Sequence, residues 1–99
     1  MTTHLFVLGT RRPDSDEAYQ AYVGAAGPLL FGAGGVINGQ YQTTTQVVGD
    51  GGPQNILIMD FPDEDAIRRV FDSAEYANAI PDRDAAFEQI TVVVAAAAS

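Results

Sequence analysis

Apolar residues recur along this chain with two different periods, and each change of period marks an element. His4 to Gly9 is short and apolar and reads as a buried strand. Phe6 and Leu8 share a face with His4, while Leu5 and Val7 take the other, so the strand is central and covered on both sides. Arg11-Arg12-Pro13 breaks it. Asp14 and Glu17 have the spacing of a capping box and predict a helix to about Phe31. Tyr19, Tyr22, Val23, Ala26 and Leu30 fall on one face of that helix. Pro28 is expected to kink or end it, and Gly32, Gly34 and Gly35 are stop signals.

The next strand is predicted over Val36 to Val48, irregular at Gly39. Asn38, Gln40, Gln42 and Thr44 share one face, and Ile37, Tyr41, Thr43 and Val47 the other. A polar face suits an edge strand or a cavity wall. Gly49-Asp50-Gly51-Gly52-Pro53 predicts a hairpin. Ile56 to Phe61 is the third strand, interrupted by Asp60 and ended by Pro62. Asp63 caps a helix from Glu64 to about Asp72, with Ala66, Ile67, Val70 and Phe71 buried. Ser73 caps a further short turn through Ala79. Pro81 to Glu88 reads as a polar connector, Gln89 to Val94 as the fourth strand, and Ala95 to Ser99 as a frayed or partly paired tail.

The order is therefore β-α-β-β-α-β, the ferredoxin-like α+β pattern with a four-stranded antiparallel sheet. Two helices cover only one face of such a sheet, yet the first, third and fourth strands are apolar on both. A symmetric homodimer with sheets face to face buries the remainder, at about 25 cal/mol per Å² of apolar area.

Composition narrows the partners. At 99 residues the chain reads as one domain, 1–99, and its 46% hydrophobic content argues against disorder. A net charge of −8 with only five Lys+Arg offers no cationic patch, which disfavours nucleic acid and anionic membrane. No apolar stretch approaches the roughly 20 residues that span a bilayer, and MTTHLFVLGTRR is not patterned as a secretory signal, so a cytoplasmic location is expected. The absence of cysteine removes disulfides, thiolate metal sites and cysteine nucleophiles. Gly32-Ala33-Gly34-Gly35 follows a helix rather than opening one, which is the wrong context for a phosphate loop. No motif points to a nucleotide, flavin or metal, and no cofactor is expected.

The stretch ILIMDFPDEDAIRRVFDSAEYANAIPDRDAA resembles a small family of uncharacterised dimeric α+β-barrel proteins. Its marks are Asp60-Phe61-Pro62 at the end of a strand, Phe71-Asp72-Ser73-Ala74-Glu75-Tyr76 at a turn, and Arg83 beyond. Tyr19, Tyr22 and Gly34-Gly35 also fit. The resemblance implies the fold, a dimer and a ligand cavity. The wider superfamily includes cofactor-free monooxygenases, lactone isomerases, polyketide cyclases and dehydratases.

Several residues are candidates for chemistry. Arg83 and Glu75, placed at the mouth of a pocket between the second helix and the sheet, would hold an acidic ligand and act as acid or base. A structural ion pair pinning the turn explains them as simply. Asp60, inside an apolar strand, must be paired, hydrated or functional, and is a general-base candidate if it faces the cavity. His4, the lone histidine, could shuttle protons, though a strand start beside Met1-Thr2-Thr3 suits a solvent edge better. Tyr19, Tyr22, Tyr41 and Tyr76 offer hydroxyls on apolar bodies, and Asn38 and Gln40 offer amides. These suit ligand binding as well as ordinary packing.

These readings suggest a cofactor-independent enzyme or accessory protein acting on a small organic molecule by proton transfer, as in isomerisation, cyclisation or dehydration. A non-catalytic ligand-binding dimer, a cofactor-free monooxygenase and a dimer with a merely packed interior are the alternatives. An enclosed cavity of about 300 Å³ or more lined by Asp60, Tyr22 or Arg83 would favour a ligand.

Overall fold

The computed structural model describes residues 2–98; Met1 and Ser99, at the ends of the expected disordered start and frayed tail, lie outside the described residues. The elements are β1 (Thr3–Arg11), α1 (Asp16–Gly32), β2 (Val36–Gln42), β3 (Asn55–Phe61), α2 (Glu64–Phe71), α3 (Ala74–Ala86) and β4 (Phe87–Ala95). The strands form one sheet in the order β2-β3-β1-β4, with every neighbouring pair antiparallel. This is the ferredoxin-like arrangement, with β1 and β3 central and β2 at an edge.

The strand period decides the layers. Leu5, Met59 and Phe61 point to the helices and pack with Ala66 and Ile67 into a core that is at most 2% exposed. Leu30, Ala33, Phe71, Val7, Leu57 and Val92 close around it. Alternate residues, including Phe6, Leu8, Ile56 and Ile58, point the other way. Among the described residues no helix covers them, only Gly51 and Pro53 of the connection after β2 approach Leu8, and the chain is 17 Å thick in its shortest direction. Val36, Tyr41 and Val93 on this open face are 64%, 59% and 42% exposed.

Two bulges reset the alternation at positions that matter for the site. In β2 the register slips between Ile37 and Gly39, so Ile37 pairs with Met59, while Gln40 and Gln42 pair with Leu57 and Asn55. Ile37, Gln40 and Gln42 therefore share the helix side. Asn38 is separated from Gln40, contrary to the face expected from strict alternation. In β4 the slip beside Thr10 and Arg11 leaves Phe87 opposite Arg11. It turns the Phe87 ring onto the helix side, against Gly9, where a Cβ would stand 3.0 Å from the ring. Gly9 is the residue that makes room for this aromatic.

Neither proline ends its helix. α1 runs through Pro28 to Gly32, near the expected end at Phe31, and α3 runs through Pro81 to Ala86 where a polar connector was expected. Both prolines are exposed, as are Gly24 and Ala77 four residues earlier, so water can reach the carbonyls deprived of an N–H partner. The capping box also fails. Asp14 takes a left-handed φ of 56°, and Ser15 is the N-cap without a side-chain cap bond. Ser15 Oγ instead donates to the Arg12 carbonyl at 2.7 Å. Asp63 and Ser73 cap α2 and α3, accepting from the N–H groups of Ala66 and Tyr76. β2 ends at Gln42 rather than Val48, because 43–54 forms a long exposed connection; its Gly-rich end still joins adjacent antiparallel strands. β4 includes Ala95, so only the residues after it remain as tail.

Candidate functional site

A half-open pocket of about 620 Å³ lies between the N-terminal half of α1 and the helix side of the sheet. Val7, Gly9 and Leu57 form its floor, and Tyr19, Tyr22 and Val23 descend from α1. Phe87 closes one end, with its ring centroid 6.0 Å from those of Tyr19 and Tyr22 in edge-to-face geometry. Gln40, Gln42 and Asn55 supply amides from the β2–β3 side, and Arg11, Arg12 and Asp16 border the opening. The wall is thus aromatic and aliphatic with a few polar groups, the usual make-up of a small-molecule site.

Behind this wall runs a polar chain. The Tyr22 and Tyr76 hydroxyls are 3.0 Å apart, and Arg83 Nη1 donates to the Tyr76 hydroxyl at 3.2 Å. Arg83 and Tyr76 lie two turns apart on one face of α3, which brings the guanidinium over the ring. Tyr76 is buried and also packs against Phe71, with centroids 4.7 Å apart. Burial, and then the hydrogen bond with Tyr76, push the Tyr22 hydroxyl well above the ordinary tyrosine range. The hydrogen bond to Tyr76 likewise raises Arg83. At neutral pH Tyr22 is therefore a protonated donor and Arg83 a fixed cation.

A second polar cluster sits on the opposite side of the sheet. Asp60 pairs with His4 across the central strands, and His4 Nδ1 lies 2.6 Å from Asp60 Oδ1. The bulged Asn38 donates to both Asp60 oxygens at 3.1 Å. Those Asn38 bonds, followed by the one from His4, hold the Asp60 carboxyl below its usual range. The half-buried His4 is therefore held by a carboxylate rather than left at a free solvent edge.

The candidate residues thus separate into four places. Tyr19, Tyr22 and Gln40 line the pocket; Tyr41 also borders it, although its ring folds over Gly39. Tyr76 and Arg83 stand behind it, joined through Tyr22. Asp60, His4 and Asn38 lie on the open face, away from it. Glu75 is exposed, and no ion pair joins it to Arg83 among the described residues. The continuous α3 explains this, since eight helical residues separate the two by about 12 Å. The pocket also lies under α1 rather than beneath the second helical segment. Sequence reading missed Arg11, Gln42, Asn55 and Phe87. Arg11 continues the Leu5, Val7, Gly9 alternation and was readable by that signal, whereas Phe87 depends on a bulge.

The strand order and the one-sided helices define a ferredoxin-like α+β protein. Within that class, residues 4–97 match the family described as domain of unknown function DUF1330, and the chain belongs to that family. No curated protein matches the chain. Solved structures show the same fold. A protein of unknown function from Rhodopseudomonas palustris is 24% identical, with a TM-score of 0.83 over 99% of this chain and 83% of that one. A dabb family protein with a ferredoxin-like fold from Mesorhizobium loti is 16% identical, with a TM-score of 0.67 over 99% and 98%. A dimeric protein of unknown function and ferredoxin-like fold from Bacteroides fragilis is 15% identical, with a TM-score of 0.61 over 95% and 94%. Among the described residues, no helix is long and apolar enough to cross a membrane.

Proposed function

We propose that this protein is a cofactor-independent enzyme or accessory protein that takes a small organic molecule in the pocket under α1 and acts on it by proton transfer. The observation that carries the reading is Tyr22, which belongs both to the pocket wall and to the hydroxyl chain ending at Arg83. Either hydroxyl can donate in the Tyr22–Tyr76 bond; an acceptor in the pocket that takes the Tyr22 proton turns the pair, so that Arg83 donates to Tyr76 and Tyr76 to Tyr22. Each bond polarises the next. A donor aimed at a carbonyl or enolate oxygen is what isomerisation, cyclisation and dehydration share.

The working unit of this reading is a homodimer. The uncovered face carrying Phe6, Leu8, Ile56 and Ile58 is apolar, and the related protein from Bacteroides fragilis is described as dimeric. Pairing two such faces removes apolar area from water on both copies.

A non-catalytic binding protein is the second reading. It is favoured by the pocket's lining, in which the only carboxylate is Asp16, with a side chain 94% exposed, and from which Asp60 and His4 are absent. The two readings separate in an exchange experiment with 2-tetralone in deuterated buffer, followed by proton NMR. Acceleration of α-proton exchange by the wild type, lost in Tyr22→Phe with binding retained, supports proton transfer. Binding without acceleration leaves the second reading. If 2-tetralone and related ketones perturb no pocket resonance, the proposed site is wrong.

A further inference from the structure

We infer that Arg11 is the anion anchor of this pocket, and that the ligand is a planar, unsaturated or aromatic carboxylate. The inference deepens the small-molecule reading and rests on it. Arg11 is the last residue of β1, and the alternation that sends Leu5 and Val7 into the core sends Arg11 to the same side. Its guanidinium carbon lies 4.1 Å from the centroid of the Tyr19 ring, so the planar group is stacked against a pocket wall. Stacking fixes the plane of the fork before any ligand arrives.

The donors of Arg11 are only partly used. Nη2 reaches Asp16 at 2.6 Å and Ser15 Oγ at 3.4 Å. No protein acceptor meets Nη1 among the described residues, and Nε is sealed from solvent with no hydrogen-bond partner. With Nε sealed, Nη1 and Nη2 are the groups open to a ligand, and together they match the two oxygens of a carboxylate. The Asp16 pair does not compete strongly. It is an ion pair to a carboxylate whose side chain is 94% exposed, and such pairs are weak.

Charge distribution points the same way. The chain carries −8 overall, with five cationic side chains, yet two of these, Arg11 and Arg12, border this pocket against the single carboxylate of Asp16. Arg12 is held in place by donating to the Asp84 carbonyl at 3.1 Å. The opening is locally positive on an acidic protein, so it selects an anion by position rather than by general attraction. The remaining wall specifies the rest of the ligand. Tyr19, Tyr22 and Phe87 present aromatic edges and faces to a flat body. Gln40 and Gln42, on the far side, can meet a hydroxyl or carbonyl.

The test compares 1-naphthoate with its neutral analogue 1-naphthamide, by calorimetry and by amide chemical shifts of the full chain. The wild type is expected to bind naphthoate at least about tenfold more tightly, the scale of one charge-assisted hydrogen bond. Arg11→Gln should abolish that preference while leaving naphthamide binding in place. Asp16→Asn, which alters only an exposed side chain, should tighten naphthoate and not naphthamide. The preference should also shrink with added salt. Equal binding of the two probes by the wild type, or a preference that persists in Arg11→Gln, overturns the anchor and leaves the pocket reading standing. Absence of any shift at the pocket residues with either probe overturns both.

Discussion

Adding one methyl group at Gly35 should cost this fold more than any exposed glycine position would. Gly35 is buried at the junction of α1 and β2, and its N–H donates to the Leu30 carbonyl at 3.0 Å. A Cβ there would stand 2.7 Å from the Phe61 ring, 2.8 Å from the Leu30 carbonyl oxygen and 2.9 Å from the Met59 methyl. Phe61 and Met59 are each 2% exposed and belong to the central core cluster, so either must displace core neighbours to give way. Overpacking of this kind costs about 1–3 kcal/mol. The lower entropy of the unfolded chain returns about 0.4–1 kcal/mol. Gly35→Ala should therefore lose about 1–2 kcal/mol net, or about 5–15 °C in Tm for a domain of this size. Gly24, inside α1, has nothing within 4 Å of the corresponding position, so Gly24→Ala should gain about 0.5–1 kcal/mol. Urea denaturation followed by circular dichroism at one fixed protein concentration measures both, since self-association would shift the midpoint with concentration. Wild-type stability in Gly35→Ala, or a loss in Gly24→Ala equal to that in Gly35→Ala, would refute the packing argument.

Ile58→Asp, a charge in the middle of the open apolar face, should convert the proposed dimer to monomer in analytical ultracentrifugation while leaving the pocket side of the sheet folded. Tyr22→Phe should lower stability by about 0.5–1.5 kcal/mol through its lost hydroxyl bond. In ultraviolet titration, Tyr22 should stay protonated at pH values where free tyrosine ionises. Its raised folded-state pKa adds stability below the ordinary tyrosine range, and that stability is lost as pH rises through the folded value. Asp60 has the opposite sign. Its lowered pKa adds stability above the ordinary carboxylate range, lost as pH falls through the folded value, so Asp60→Asn and Asn38→Ala should both flatten the acid limb of the stability–pH curve. Ile67→Ala, at a core position 2% exposed, should cost about 2–5 kcal/mol in the same urea assay.

Period and punctuation carried the architecture. The alternation in His4 to Gly9 and Ile56 to Phe61, the helical faces of Tyr19 to Leu30 and Ala66 to Phe71, and the caps at Asp63 and Ser73 are local facts. A chain of this order has few ways to bury them. The uncovered sheet face was also legible, because two helices cannot cover both sides of four strands. What lay beyond reach was everything that required one residue to be placed against a distant one. The bulge that separates Asn38 from Gln40 exists only once β2 is paired with β3, and it sends one amide to Asp60 and the other to the pocket. The helix through Pro81 survives because that proline faces water, and its continuity takes Glu75 away from Arg83 while aligning Arg83 with Tyr76. Arg11 becomes a site residue only when Tyr19, from the other side of the helix start, stacks beneath it. Hydrophobic period is a property of neighbours in sequence, so it was available from the chain alone. The pocket and its charges arise from contacts between elements, and only the tertiary structure decided them.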